Sequence, residues 1–277
     1  MQYIIALVKP EASQIMDRSA IQTKVQKIFH FLKTDPLAGG TVLLLLTAAV
    51  HLLALSRGKV LERDSVVYIT SAVRWAADGV YVVPHFPPLP CFIIKSLYQM
   101  GLPPEAAGRA FAFLFSLPLP FVAYIFAVKA TGNKRLARYG AFMTVFHPLL
   151  LYISVYPLRD SIYVLLAGLV MIAGIDALKA PSFKSWGLCA LWTGAALSCR
   201  VETVEFFLLF PLLVSVRVLQ KAYPLKKGLC CLLFYWFCAI LVWFLLVWGT
   251  GGRECLEAQY ENYVKGKLIL LRERWNV

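Results

Sequence analysis

Apolar positions along this chain gather into runs with few polar interruptions, at Leu37–Leu55, Ala106–Ala130, Gly140–Val155, Ile162–Ala177 and Leu229–Thr250. A helix of about 20 residues, rising about 1.5 Å per residue, matches a hydrocarbon core about 30 Å thick. Without water, each backbone N–H and C=O must bond inside its own helix. The pattern therefore predicts an all-α fold, a polytopic bundle of transmembrane helices. The stretch Trp186–Val216 is apolar at both ends but holds Arg200, Glu202 and Glu205 between them. A single helix would reach about 46 Å and place these charges near the bilayer centre. Two short helices meeting at the charges are the alternative. A single span would also carry Arg217, Lys221, Lys226 and Lys227 to the exoplasmic side with no acid among them, against the positive-inside bias. Two helices are therefore expected, giving about seven spans.

This division makes residues 1–36 a cytoplasmic lead-in too short in its apolar start for a signal peptide. Residues 37–250 form the transmembrane domain, with a large first exoplasmic loop at 56–102, and residues 251–277 form an exoplasmic C-terminal tail. The expected location is the bacterial inner membrane, multi-pass, with the N-terminus cytoplasmic and the site exoplasmic.

Composition narrows the class without changing it. Hydrophobic residues make up 60% of the 277 and charged residues 16%, with a mean hydropathy of +0.68, which excludes a soluble fold. The net charge of +13 is not the mark of a nucleic-acid partner, because no basic run interleaved with aromatics lies outside the apolar spans. It fits membrane topology and anionic lipid. On the seven-span scheme the cytoplasmic segments hold 15 of the 28 Lys and Arg but 4 of the 15 acids. Their connections Lys129–Arg138, Lys179–Lys184 and Arg217–Lys227 are short and basic and serve as topological anchors. The seven cysteines show no metal-ligand spacing and read mainly as small packing residues. Cys91, Cys199 and Cys255 share the exoplasmic side on this scheme, which leaves one disulfide open.

Four motifs on that side could carry chemistry. Asp64-Ser65-Val66-Val67-Tyr68 opens segment 64–78, whose apolar positions suit a helix along the membrane surface. Near a helix N-terminus Asp64 stays ionised, as a general base or metal ligand requires; a plain capping role is the other reading. Tyr81–Pro90 carries His85 beside three prolines in four positions, which forbid a regular helix up to Pro90 and stiffen the loop. It either positions His85 against a polar substrate or forms a re-entrant turn. Arg159 and Asp160 follow Pro157 at the start of a span and either bind an anion or cap the helix. Cys199–Glu205 sets Arg200 and Glu202 between two apolar helices, where ionisable groups by default mark a site. Arg200 suits a phosphate through its planar fork, and an Arg200–Glu202 or Arg200–Glu205 pair holding a helix hairpin is the alternative.

Taken in order, these motifs make the chain similar to polytopic glycosyltransferases of the GT-C superfamily. The branch concerned includes the dolichyl-phosphate-mannose protein mannosyltransferases and the bacterial lipid A aminoarabinose transferases (types 39 and 83). Asp64 and Tyr68 match the family's Asp-Glu-x-x-Tyr, with Ser65 at the second acid. His85-Phe86-Pro87-Pro88-Leu89 is similar to its His-Pro-Pro-Leu, and Arg200-Val201-Glu202 to its Arg-x-Glu. Arg159-Asp160 occupies the place of an acid that often begins a later span. Residues 37–216 carry the likeness, and the family usually runs to about twice this length.

The resemblance implies inverting transfer of a sugar from a polyprenyl-phosphate donor to an exoplasmic lipid, glycan or protein acceptor. Asp64 would be the catalytic base. Tyr68, His85, Arg159, Asp160, Arg200 and Glu202 would bind substrate, with the isoprenoid tail in an apolar groove between helices. No cofactor is certain, and a divalent cation is left open. The alternatives are a transporter or flippase of a lipid-linked substrate, and a non-catalytic truncated paralogue acting as an assembly subunit.

Overall fold

The computed structural model describes residues 36–58, 61–79, 81 and 86–259, and among these every regular element is helical. In chain order they are α1 (Pro36–Arg57), α2 (Arg63–Asp78), α3 (Pro88–Gln99), α4 (Pro104–Ser116), α5 (Leu119–Thr131) and α6 (Lys134–Val145). There follow α7 (Pro148–Val155), α8 (Arg159–Lys179), α9 (Phe183–Leu197), a 3₁₀ turn (Val201–Val204), α10 (Glu205–Leu219) and α11 (Leu225–Gln259). The chain divides into two units, 1–45 and 46–277, with the boundary inside α1. The described part of the first is the opening of α1, and the second holds everything discussed below.

Among the described residues, four segments are long and apolar enough to cross a membrane: Gly39–Arg57, Pro104–Thr131, Arg159–Lys179 and Leu225–Gly251. The pair α6 and α7, bent by 50°, makes a fifth if it is one span. The bend falls where the sequence dictates, since Pro148 at the first position of α7 has no N–H to continue the ladder of α6. The run Ala106–Ala130 is similarly split into α4 and α5 at Leu117–Pro118. Charges between Trp186 and Val216 divide that stretch into α9 and α10, the expected pair of short helices. At 15 residues each they reach about 22 Å, short of a full crossing.

The expected surface helix at 64–78 is α2, with Ser65, Tyr68, Ile69, Ser71, Ala72 and Trp75 buried along one side. The prolines before Pro90 behave differently from expectation. Helix α3 begins at Pro88, so Pro88 and Pro90 both lie within the first turn, where N–H groups have no intrahelical acceptor and a proline loses nothing. Loop 56–102 is thus largely two helices. No break marks residue 250, because α11 runs on to Gln259.

Helix α9 packs closely against both α8 and α11. A Cβ at Gly194 of α9 would lie 2.6 Å from the Ala239 carbonyl oxygen of α11, so only glycine permits this approach. Trp186, fully buried, packs edge-on against Phe210 of α10 (5.8 Å) and Tyr235 of α11 (5.6 Å). The Tyr235 hydroxyl reaches Thr193 Oγ1 at 3.1 Å. Truncating a buried indole of this kind costs about 3–5 kcal/mol.

Candidate functional site

Successive passes reverse direction, so the helix ends collect into two groups. Where α5 and α8 finish, Lys129 Nζ bonds both Asp176 carboxylate oxygens, at 2.5 and 2.8 Å. The Tyr223 hydroxyl donates to the Ala177 and Leu178 carbonyls at 2.8 and 2.7 Å, tying the turn between α10 and α11 to the end of α8. This is the basic end. At the opposite end lie the start of α8, the turn between α9 and α10, and helix α2.

Arg200 organises that second end. Its guanidinium pairs with Asp160 in the first turn of α8 and reaches Glu202 Oε2 from Nε at 3.4 Å. It also stacks over Tyr163, 5.2 Å from the ring centre. Tyr163 follows Asp160 by three residues and so shares its side of the helix. The turn itself is held by Thr203 Oγ1, which donates to the Arg200 carbonyl at 2.7 Å.

Burial alone would raise the Glu202 carboxyl, but its own backbone N–H and the charges of Arg200 and Arg159 outweigh that and hold it below its ordinary 4.5. The cluster therefore sets an ionised Glu202 against guanidinium groups, and it is only partly covered: the Arg200 and Asp160 side chains are 28% and 30% exposed. The Cys199 thiol beside it is pushed by burial up to about 12 and stays protonated.

Asp64 sits in the first turn of α2 and is exposed. The N-cap is Glu62, with no side-chain cap bond, so capping is not the role of Asp64. Ser65, one residue on and about 100° around the helix, is buried, and its hydroxyl has no partner. The Asp64 and Ser65 side chains therefore face different surroundings. Tyr68 lies in the core, 2% exposed, edge-on to Phe86 at 5.2 Å.

α2 reaches the neighbourhood of Arg159 through Gly108 of α4. A Cβ there would lie 2.7 Å from Ile69 and 3.2 Å from Pro157. Glu62, just before α2, accepts a hydrogen bond from Tyr152 of α7. The structure thus joins Asp160, Arg200 and Glu202 directly and places Arg159 and Asp64 at the same end. His85 lies outside the described residues.

Among the described residues no group of three or more His, Cys, Asp or Glu is placed to hold a metal ion. The open disulfide is not formed: Cys91, Cys199 and Cys255 are buried and reduced.

A groove of about 350 Å³ opens between α5, the bent pair α6 and α7, and α8, lined by Val122, Phe126, Leu150, Val164, Gly168 and Met171 among others, with no charged side chain. Its one hydroxyl, on Thr144, is satisfied by the Gly140 carbonyl at 2.8 Å. Val164, Ala167, Gly168 and Met171 follow Asp160 at spacings of 4, 7, 8 and 11, one stripe of α8. The groove wall begins one turn, about 6 Å, from the ionic cluster.

Sequence reasoning gave Tyr163 no role, and it expected an apolar groove between helices without locating it. The first was legible as the position one turn after Asp160, and the second depends on the α6–α7 bend. No family model matches the chain, and no curated protein matches it.

Proposed function

We propose that this protein is a membrane glycosyltransferase that moves a sugar from a polyprenyl-phosphate donor to a lipid, glycan or protein acceptor, with inversion, on the exoplasmic side of a bacterial inner membrane. The supporting observation is the stripe on α8 that begins at Asp160, beside Arg200, and continues as the wall of an uncharged groove. A polyprenyl phosphate has that amphipathic layout, an anionic head on a hydrocarbon chain. Arg200, with Arg159 beside it, takes the phosphate and stabilises it as it leaves. Asp64, exposed at the same end, accepts the proton from the acceptor hydroxyl as it attacks the anomeric carbon.

Asp160 and Glu202 hold Arg200 before substrate arrives, and Tyr163 fixes the plane of its guanidinium. Tyr68 supports α2 from the core, a positioning role in place of the substrate contact implied by resemblance. The short helices α9 and α10 complete seven spans on this reading, with the ionic turn between them at the membrane boundary. A site of this kind needs no soluble pocket.

The test is the profile of polyprenyl-linked sugars and envelope glycans in cells carrying the wild-type gene, no gene, Asp64→Asn or Arg200→Ala. Both variants should accumulate the same donor as the deletion. A profile unchanged by either substitution sinks the assignment. Loss of substrate movement without loss of in vitro transfer would instead mark a flippase.

A further inference from the structure

We infer that the basic end is a binding surface for the headgroups of anionic phospholipids, built independently of whatever chemistry the opposite end performs. Segments 129–138, 176–184 and 217–227 together hold ten Lys and Arg and a single acid, Asp176. That acid is already engaged by Lys129. The three segments are brought to one end by Lys129–Asp176, by Lys179 Nζ on the Lys129 carbonyl at 2.5 Å, and by Tyr223 on the end of α8.

The helix termini make the excess worse. α6, α9 and α11 all begin here, each presenting the positive end of its dipole, and none has an acid in its first turn. Those turns carry Lys134, Lys184, Lys226 and Lys227, all exposed. Cations at helix N-termini repel the dipole. Lys221, which ends the turn after α10, has φ +56°, a left-handed conformation in which glycine is the sterically favoured residue. At these three starts charge is kept against the dipole, while Lys129, Lys179 and Arg217 in the last turns of α5, α8 and α10 agree with it; the exposed lysines at the starts are left for a partner outside the protein.

Exposed apolar side chains identify the partner. Phe183, Leu219 and Leu225 are 60%, 82% and 70% exposed and stand beside Lys184, Lys221 and Lys226. Hydrocarbon below and phosphate above satisfies both sets at once, with the lysine stems spanning the boundary. A nucleic acid or a soluble acidic protein would leave those apolar groups in water. The ligand is therefore the phosphate layer of an anionic leaflet.

The experiment uses the full chain, purified in detergent and reconstituted in nanodiscs whose lipid is phosphatidylcholine mixed with phosphatidylglycerol. The lipid retained after detergent washing is measured by mass spectrometry. Wild type should be enriched in phosphatidylglycerol, and the enrichment should fall with salt. Removing a lysine should lower retention about fivefold, and the triple variant Lys184→Gln, Lys226→Gln, Lys227→Gln about a hundredfold.

The same variant should show a higher melting midpoint in detergent, because the dipole repulsion is relieved, which separates lost binding from lost folding. Arginine at the same three positions should preserve the enrichment, and Arg63→Gln with Arg74→Gln at the other end should leave it unchanged. Equal retention of both lipids by wild type, undiminished enrichment in the triple variant, or displacement by millimolar inorganic phosphate would overturn the inference. None of these readouts depends on sugar transfer.

Discussion

At one end of the bundle α2, α4, α8 and α10 begin with Asp64, Glu105, Asp160 and Glu205 in their first turns. At the other, α6, α9 and α11 begin with Lys134, Lys184 and Lys226. The first arrangement agrees with the helix dipole and settles its charges internally: Arg200 is shared between two acids, and Arg109 pairs with Glu105 at 2.8 Å. The second opposes the dipole at those three starts and leaves most of its cations facing outward. Ionised groups locally balanced around a partly covered arginine suit a discrete anionic substrate that can displace one partner. An unbalanced array of exposed lysines suits an extended surface of phosphates.

The largest effect expected from breaking this contrast is at Arg200. Arg200→Ala leaves Asp160 and Glu202 without their shared counter-charge and should lower transfer on the order of 10²–10³-fold in an assay with a polyprenyl-phosphate sugar. Its stability cost should be smaller, about 1–2 kcal/mol by denaturation in detergent, because the pair is partly solvated. Lys221→Gly at the basic end should act in the other direction. Removing a side chain from a left-handed position should stabilise the fold by about 1 kcal/mol, while reducing the retention of anionic lipid. Lys129→Ala breaks the counterpart ion pair, whose members are 32% and 44% exposed. It should cost about 0.5–1 kcal/mol and leave transfer unchanged.

Glu202 gives the smallest and most specific signal. Its carboxyl is held below 4.5 in the folded protein, so its stabilising contribution is complete above that value and is lost as the pH falls through the lower folded one. A pH series of melting midpoints should therefore drop below about pH 4.5, and Glu202→Gln should make that drop shallower while lowering the midpoint at pH 7, where the wild-type carboxylate contributes in full. An identical slope in the variant would mean that Arg200 leans on Asp160 alone.

Much of this was legible in the sequence. Apolar run length located the helices long enough to cross a membrane, and the charges Arg200, Glu202 and Glu205 marked the break between α9 and α10. Asp160 and Arg200, 40 residues apart, could be assigned to one face but not to one another, since an ion pair across two helices depends on packing that no local pattern encodes. The prolines at 87–90 misled because rules for helix interiors do not apply to a first turn. Lys129 read as a topological anchor and Asp176 as one of the four acids assigned to the cytoplasmic side, although the two form a pair. Tyr68 is a substrate contact by resemblance alone, and no linear pattern told that the fold would bury it, at 2% exposure, against Phe86. The α8 groove had no linear signature, because its other wall comes from the 50° bend at α6 and α7.

The most direct test of the division between the two ends is binding of polyprenyl phosphate to the full chain in neutral-lipid nanodiscs. Wild type, Arg200→Ala and the Lys184, Lys226, Lys227 glutamine variant would be compared at one salt concentration. Affinity should fall at least about tenfold in Arg200→Ala, consistent with the loss of charge-assisted bonds to the phosphate, and stay within a factor of about two in the lysine variant. Equal binding by wild type and Arg200→Ala, or a loss confined to the lysine variant, would contradict the account.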